Sequence, residues 1–134
     1  SYRAINREIC KDMTPFEAGL GRFVAMADRE FIGKYALLRQ QEEGEYMTLI
    51  TLKLPFQETS VIAHEAVYHD GQIVGRVTSG GFSYYCQHDI ALALVPQNLT
   101  APGTKFQVKI HNEMREGEVI DTCAYDPENT RPRA

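Results

Sequence analysis

Residues 70–82 read DGQIVGRVTSGGF, and residues 89–96 read DIALALVP. Asp70-Gly71 stands between two runs of alternating apolar residues. This predicts a β-hairpin, because a two-residue primed turn needs the positive φ that glycine adopts without steric cost. Thr78 to Gly81 are predicted to end the second strand, in a sharp bend or with a close approach of this backbone to whatever packs above it. Both stretches therefore favour a fold of antiparallel strands.

The same two-residue period continues through most of the chain after residue 45. Strands are predicted at residues 47–54, 66–68, 73–78, 89–95, 104–110 and 118–122. Turn signals separate these runs every ~8–12 residues, which is typical of an antiparallel barrel or sandwich. We therefore expect a mainly β fold.

Residues 1–45 differ from the rest of the chain, because helix and turn signals replace the two-residue period there. The TPFE sequence at residues 14–17 is a capping box and predicts a short helical turn, which Gly19 and Gly21 end. Residues 21–27 alternate enough to predict a strand.

Residues 33–43 predict a helix that Gly44 stops. Its periodicity places Tyr35 on the packed side of the helix and Lys34 on the solvent side.

Composition excludes several function classes. The 18 acidic and 14 basic residues are interspersed and give a net charge of −4, so no basic face for nucleic acid is visible. Nor does the sequence contain an apolar run near the ~18 residues of a membrane span. Three cysteines, Cys10, Cys86 and Cys123, are odd in number and widely spaced, which argues for inert thiols in a reducing compartment. We expect a cytoplasmic location.

The sequence gives little support to two candidate sites, a zinc site and a hydrolase triad. The four histidines, His64, His69, His88 and His111, lack the spacing of a zinc site and are expected on the surface or in turns. A nucleophile, base and orienter could be assembled from Ser79 or Ser83, His88 and Asp89, but a G-x-S-x-G elbow is absent.

Aromatic residues follow the glycine pair. Phe82, Tyr84 and Tyr85 could line a ligand cleft by stacking on a flat heterocycle. They could equally fill the contact between this domain and a neighbouring one, which we favour.

The stretches at residues 70–82 and 89–96 resemble the C-terminal β-barrel domain of the glycine-cleavage T-protein (aminomethyltransferase) family. Upstream, TPFEAGLG at residues 14–21 and FIGKYAL at residues 31–37 resemble segments that close the family's catalytic region. Downstream, YDPEN at residues 125–129 resembles an ending common in dimethylglycine and sarcosine dehydrogenases. This resemblance implies a six-stranded Greek-key antiparallel barrel.

The resemblance also implies an organisation. Residues 1–45 would be a small α+β remnant of a central folate-binding domain, residues 46–125 the barrel, and residues 126–134 a tail. The parent protein, the longer polypeptide that would contain this chain, would transfer a one-carbon unit from a small amine substrate to tetrahydrofolate. That amine would be a glycine-cleavage intermediate, or of dimethylglycine or sarcosine type.

By the same resemblance, the catalytic acid and most folate contacts would lie in upstream folate-binding domains of the same polypeptide. We therefore assign no catalytic residue and no metal ligand within this chain, and expect neither nucleic acid nor membrane as a partner. FAD is a further cofactor elsewhere in the parent protein if it belongs to the dehydrogenase branch.

Arg131 and Tyr125 are the candidate ligand-binding residues. In the family, the C-terminal segment runs back towards the folate-bearing domains, and a guanidinium fork fits the carboxylates of folate's glutamate moiety. Pro127 and Pro132 restrict the backbone around these residues. The alternative is a solvated tail or a domain-packing contact.

Two other interpretations remain open. One is a non-catalytic interaction barrel, since related barrels occur as accessory domains of translation factors and a fold does not determine function. The other is a folate-binding iron–sulfur or tRNA-maintenance paralogue, whose K-G-C-Y-type motif is absent here.

Overall fold

A computed structural model describes residues 2–121 and 123–133, and shows one α-helix and six strands. These are α1 (Lys34–Glu43), β1 (Met47–Leu54), β2 (Ala66–His69), β3 (Gln72–Ser83), β4 (His88–Pro96), β5 (Lys105–Ile110) and β6 (Glu113–Ile120). Short 3-10 helices lie at Gly21–Phe23, Gln97–Leu99 and Arg131–Arg133. Thr122, the predicted end of the last strand, lies outside the described residues, as do Ser1 and Ala134 at the ends of the predicted domains.

The six strands form a closed antiparallel barrel in the order β1-β4-β3-β2-β5-β6. Strands β2, β3 and β4 are consecutive neighbours and β1 lies beside β4, which is a Greek-key arrangement. Pairing of β1 with β4 runs from Met47 opposite Pro96 to Leu54 opposite Asp89. Pairing of β1 with β6 closes the barrel. The predicted mainly β, six-stranded fold is confirmed.

The core lies inside the barrel, where alternate residues of each strand point. In β5 the pattern is strict, with Phe106, Val108 and Ile110 buried and their neighbours exposed. A fully buried side chain of this kind contributes about 1.5–3 kcal/mol relative to an exposed one. Apolar burial therefore makes the barrel the main stabilising unit.

Strand β3 is longer than predicted. The Asp70-Gly71 turn is confirmed, with both residues at positive φ. The predicted strand end at Gly80 and Gly81 is wrong, because β3 continues to Ser83 after a bulge between Val77 and Ser79. The predicted close approach does occur, since a Cβ on Gly80 would lie 2.7 Å from Val61 Cγ1.

The first half of β6 was missed by the sequence pattern. Prediction began at residue 118, whereas the strand begins at Glu113. The buried positions in that half are Arg115 and Gly117, and neither residue type gives an apolar signal.

The predicted strand at residues 21–27 is wrong, and the segment begins with a 3-10 turn at Gly21–Phe23. Alternation of residue types does not by itself supply a partner strand for such a segment. The capping box is confirmed. Thr14 N donates to Glu17 Oε2 at 2.7 Å, and Glu17 N donates to Thr14 Oγ1 at 3.3 Å.

Helix α1 begins one residue later than predicted, because Gly33 is its N-cap with φ 95°. Gly44 ends it, as predicted. The predicted facing of two residues is wrong: Tyr35 is 77% exposed, while the Lys34 side chain is 13% exposed. Lys34 folds back so that its Nζ donates to Glu30 Oε1 at 2.9 Å. No helix in residues 2–121 or 123–133 has the length and apolar character needed to cross a membrane.

The capping-box turn is attached to the barrel beside the β1–β6 junction. Within residues 2–121 and 123–133, strands β1 and β6 pair where Thr51 to Lys53 face Ile120 to Glu118. Nearer the start of β1, the Leu49 N–H donates to the carbonyl oxygen of Glu17 at 2.9 Å. The turn thus provides β1 with a hydrogen-bond acceptor from outside the barrel strands.

We expect limited proteolysis to cut first at residues 40–45 or after Asp126. Helix α1 buries none of its ten residues, all of which the structure describes. The helix ends at Gly44, which has a left-handed backbone conformation. Local opening at such a site costs little free energy. Mass spectrometry of the first fragments would measure this, and an initial cut within residues 89–95 would contradict it.

Candidate functional site

The C-terminal tail is ordered by one carboxylate. Asp126 Oδ1 accepts hydrogen bonds from Thr130 N at 2.9 Å and from Thr130 Oγ1 at 2.8 Å, while Asp126 Oδ2 accepts one from Arg131 N at 3.0 Å. The Thr130 N–H is the main reason that the pKa of Asp126 lies below its ordinary value. The backbone of Arg131 is therefore held in a defined position at the end of this turn.

Arg131 and Tyr125, the two predicted ligand-binding residues, lie together. The Arg131 guanidinium carbon is 5.2 Å from the centre of the Tyr125 ring. Tyr125 in turn packs edge-on against Tyr85, with ring centres 4.5 Å apart. Within the described part of the chain, the Arg131 guanidinium has no hydrogen-bond acceptor. Its N–H groups can therefore bind an external anion while the ring orients the guanidinium plane.

The predicted aromatic residues belong to two groups of contacting rings, one with Phe82 and Tyr84 and one with Tyr85, which we together call the aromatic face. The Phe82 ring lies 4.5 Å from the Phe56 ring and 5.1 Å from the Tyr84 ring, between ring centres. Members of the face are Phe56, Phe82, Tyr84, Tyr85 and Tyr125, and all but Phe82 are exposed. Sequence reasoning missed Phe56, whose only signal is its place after a strand-ending proline.

Glu8 is a buried carboxylate that the sequence analysis did not single out. Its Oε1 accepts a hydrogen bond from Ser79 Oγ at 2.6 Å, and its Oε2 accepts one from Ala4 N at 2.8 Å. Burial disfavours the ionised form, but the hydrogen bonds from the Ser79 hydroxyl and the Ala4 N–H, with the Thr78 hydroxyl nearby, outweigh it. The pKa of Glu8 therefore lies below its ordinary value.

A second buried charge, Asp89, lies at the start of β4. Arg115 Nη1 is 3.5 Å from Asp89 Oδ2, and both side chains are almost completely buried. The β1–β2 loop completes the cluster, because Arg115 Nη1 donates to the carbonyl oxygen of Thr59 at 2.7 Å and Val61 N donates to Asp89 Oδ2 at 3.3 Å. These contacts attach the loop to the end of the barrel.

The residues considered for a hydrolase site have other partners. Ser79 donates to Glu8, Asp89 pairs with Arg115, and Ser83 Oγ accepts a hydrogen bond from Cys86 N at 3.2 Å. The β3–β4 register places Ser83 opposite His88, but in the described part of the chain no hydrogen bond links a serine, His88 and Asp89 as a nucleophilic site would require.

The histidines and cysteines are dispersed. His64 and His111 lie in turns at positive φ, and the His69 ring packs on Phe106 with ring centres 5.2 Å apart. All three cysteines have intermediate exposure, and the thiols of Cys86 and Cys123 donate to the carbonyl oxygens of Ala124 and Tyr125. Among the residues that the structure describes, no group of three or more His, Cys, Asp or Glu side chains is placed to hold a metal ion.

Comparison with known proteins identifies the fold and the family. The model of the glycine cleavage T-protein C-terminal barrel domain matches residues 48–126, more than half of the chain. The crystal structure of the glycine cleavage system aminomethyltransferase T from Bartonella henselae shares the fold, with a TM-score of 0.78 at 24% identity. That match covers 88% of this chain and 34% of the other.

Two curated relatives illustrate the sequence similarity. Mitochondrial dimethylglycine dehydrogenase of Homo sapiens is 32% identical over 134 residues, which cover 99% of this chain and 16% of the relative. An aminomethyltransferase of Synechococcus sp. (strain CC9311) is 41% identical over 114 residues, which cover 84% of this chain and 30% of the relative. The chain thus spans a minor part of each relative's length. On the family match and the barrel topology together, the chain belongs to the family of glycine cleavage T-protein C-terminal barrel domains.

Proposed function

We propose that this chain is the C-terminal part of a tetrahydrofolate-dependent, aminomethyltransferase-like enzyme. The parent protein would transfer a one-carbon unit from a small amine to tetrahydrofolate, the amine being a glycine-cleavage intermediate, or of dimethylglycine or sarcosine type. The names of the relatives support this, since they are aminomethyltransferases and dimethylglycine dehydrogenases. This chain alone would be catalytically incomplete, with the reacting groups upstream and FAD bound elsewhere in a dehydrogenase parent.

The observation that carries the proposal is the presentation of Arg131. Its guanidinium is held over Tyr125, its backbone is fixed by Asp126, and its N–H groups are available. A guanidinium presents five N–H donors in a rigid fork that matches a carboxylate with two hydrogen bonds. We therefore assign Arg131 and Tyr125 to the glutamate carboxylates of tetrahydrofolate, which they would orient while other residues carry out the chemistry.

The partner of the aromatic face would be the folate-binding domains that precede this chain in the parent protein. Four of its five rings are exposed, and burial of such rings is a main source of binding energy at interfaces. We propose no nucleic-acid or membrane partner. The odd number and wide spacing of the cysteines support the reducing, cytoplasmic location predicted from the sequence, while the dimethylglycine dehydrogenase relatives are named as mitochondrial.

The same aromatic face favours a second candidate function, a non-catalytic interaction barrel. In that case the face would bind a separate protein, and Arg131 would have no role in folate binding. The two candidates differ in what a substitution of Arg131 does.

In the parent protein, Arg131→Ala is expected to weaken tetrahydrofolate binding more than about tenfold. Truncating one partner of a desolvated charge pair costs about 2–5 kcal/mol, whereas an exposed pair contributes only about 0.2–1 kcal/mol. Isothermal titration calorimetry would measure the dissociation constant, with urea unfolding as a check on stability. Arg131→Lys should lie between the wild type and Arg131→Ala, because lysine keeps the charge and loses the fork.

Arg133→Ala provides a matched control. Arg133 is an exposed arginine in the same 3-10 turn. We expect its replacement to change affinity less than threefold. An equally small effect of Arg131→Ala, with stability unaltered, would reject the folate role of this arginine.

A further inference from the structure

The turn at residues 4–9 is attached to the barrel without apolar burial. Glu8 is the one buried residue of this turn, all of which the structure describes. The apolar side chains point elsewhere, since Ile5 is 78% exposed and Ile9 is 38% exposed. The hydrophobic effect therefore does not explain why the turn lies against β3.

Polar contacts with one site on β3 provide the attachment. The bulge pairs Val77 with Ala93 and Ser79 with Leu92, so Thr78 is the extra residue between them. Arg7 Nη1 donates to the Thr78 carbonyl oxygen at 3.3 Å, next to the hydrogen bond from Ser79 to Glu8. The turn is thus attached to the barrel at this bulge.

The turn is also built around the Glu8 carboxylate. Besides the hydrogen bond from Ala4 N to Glu8 Oε2, Glu8 N donates to the Ala4 carbonyl oxygen at 3.1 Å. Asn6 N donates to the Ile9 carbonyl oxygen at 2.8 Å, with Asn6 at φ 66°. One carboxylate therefore closes the turn and binds it to the barrel at the same time.

The surroundings favour the ionised carboxylate. From β3 it faces the hydroxyl groups of Thr78 and Ser79, of which the Ser79 hydroxyl donates to it at 2.6 Å while the Thr78 hydroxyl donates to the Leu92 carbonyl oxygen. The charged groups near it are Arg7, which is adjacent in sequence, and Arg3. Burial lowers the pKa of the Arg3 guanidinium, and the negative charge of Glu8 acts against that shift.

We infer that Glu8 is a positioning residue, whose ionised carboxylate holds the N-terminal turn on the β3 bulge. Polypeptide that precedes Ala4 would then approach the barrel from one direction. The inference goes beyond the folate proposal and does not depend on it, because its test follows the attachment of the turn rather than folate binding.

The pH dependence follows from the direction of the pKa shift. Because the pKa of Glu8 is lower in the folded protein than in the unfolded chain, its contribution is fully present above the ordinary glutamate value. That contribution is lost as the pH falls through the folded-state pKa. Protonation should therefore release the turn.

Hydrogen exchange of the 134-residue chain, followed by mass spectrometry, tests this. We expect Glu8→Gln to accelerate exchange of the amides in residues 4–9 by about tenfold or more, since hydrogen bonds to a charged acceptor are the strong ones. Exchange in β1 and β4 should be unchanged. In the wild type, exchange of the turn relative to the intrinsic rate should be constant above the ordinary glutamate pKa of about 4.3 and should rise as the pH falls below it. In Glu8→Gln it should not depend on pH.

Glu17→Gln is the matched control, since glutamine also completes a capping box and the change lies in the same segment. It should leave exchange of residues 4–9 at the wild-type rate and keep the pH dependence. A wild-type rate in Glu8→Gln would overturn the inference, as would a wild-type pH profile that is flat. Equal acceleration of the turn and the barrel strands would also overturn it, because the carboxylate would then support the whole fold.

Discussion

Arg115→Met is expected to lower the free energy of unfolding by about 3–5 kcal/mol, because it leaves the carboxylate of Asp89 buried without its counter-charge. The Asp89 side chain is completely buried, and among the described residues only the Val61 N–H would still donate to it. Thr59 would also lose the arginine that holds the β1–β2 loop. Urea unfolding, extrapolated to water, would measure the change.

The control for this prediction is an exposed pair in the same barrel. Lys105 Nζ lies 2.8 Å from Glu116 Oε1, closer than the 3.5 Å between Arg115 and Asp89. Lys105→Met should nevertheless leave the free energy of unfolding almost unchanged, since solvent screens an exposed pair. The double variant Asp89→Leu/Arg115→Met should recover part of the loss, because no unpaired charge remains. A loss below 1 kcal/mol in Arg115→Met alone would contradict the argument.

Gly75→Ala is expected to cost about 3 kcal/mol, at the upper end of the range for overpacking. A Cβ at residue 75 would overlap the Leu94 carbonyl oxygen and crowd Val95 Cγ1 at 3.2 Å. The carbonyl belongs to the β3–β4 pairing and cannot rotate away as the end of a flexible side chain could. The lower melting temperature would be visible by calorimetry.

Gly81→Ala, six residues along the same strand, separates this clash from the general effect of replacing glycine. A Cβ at residue 81 meets no atom of the described structure within 4 Å. We expect the free energy of unfolding of the Gly81→Ala variant to be unchanged or raised by about 0.4–1 kcal/mol, because alanine restricts the unfolded chain. Equal losses from the two substitutions would show that the approach of Leu94 is not the cause.

Most of the barrel could be predicted because its signals are local. Alternation in residues 47–54 gives β1 with its observed bounds, and Asp70-Gly71 gives the turn of the β2–β3 hairpin. The predicted strand at residues 21–27 failed because alternation says nothing about whether a partner strand is available. The early part of β6 was missed because a buried arginine reads as a solvent-facing residue.

The contacts in the candidate sites could likewise be predicted only where the residues are close in sequence. The grouping of Tyr125 with Arg131 could be anticipated, since the two residues are six apart in one segment. Glu8 and Ser79 are 71 residues apart, and Arg115 and Asp89 are 26 apart. No spacing rule joins such pairs, because their proximity depends on how the strands are ordered in the closed barrel.

The short β1–β6 junction bears on the order in which the chain folds. Hairpins β2–β3, β3–β4 and β5–β6 connect neighbours in sequence, whereas closure joins residue 51 to residue 120. Contacts at such separation form late, because loop-closure entropy must be overcome first. During synthesis, β1 therefore emerges well before its last partner. Glu17 is synthesised earlier still, so its carbonyl oxygen can accept a hydrogen bond from the Leu49 N–H in that interval. This contact shields part of a strand edge that would otherwise invite aggregation.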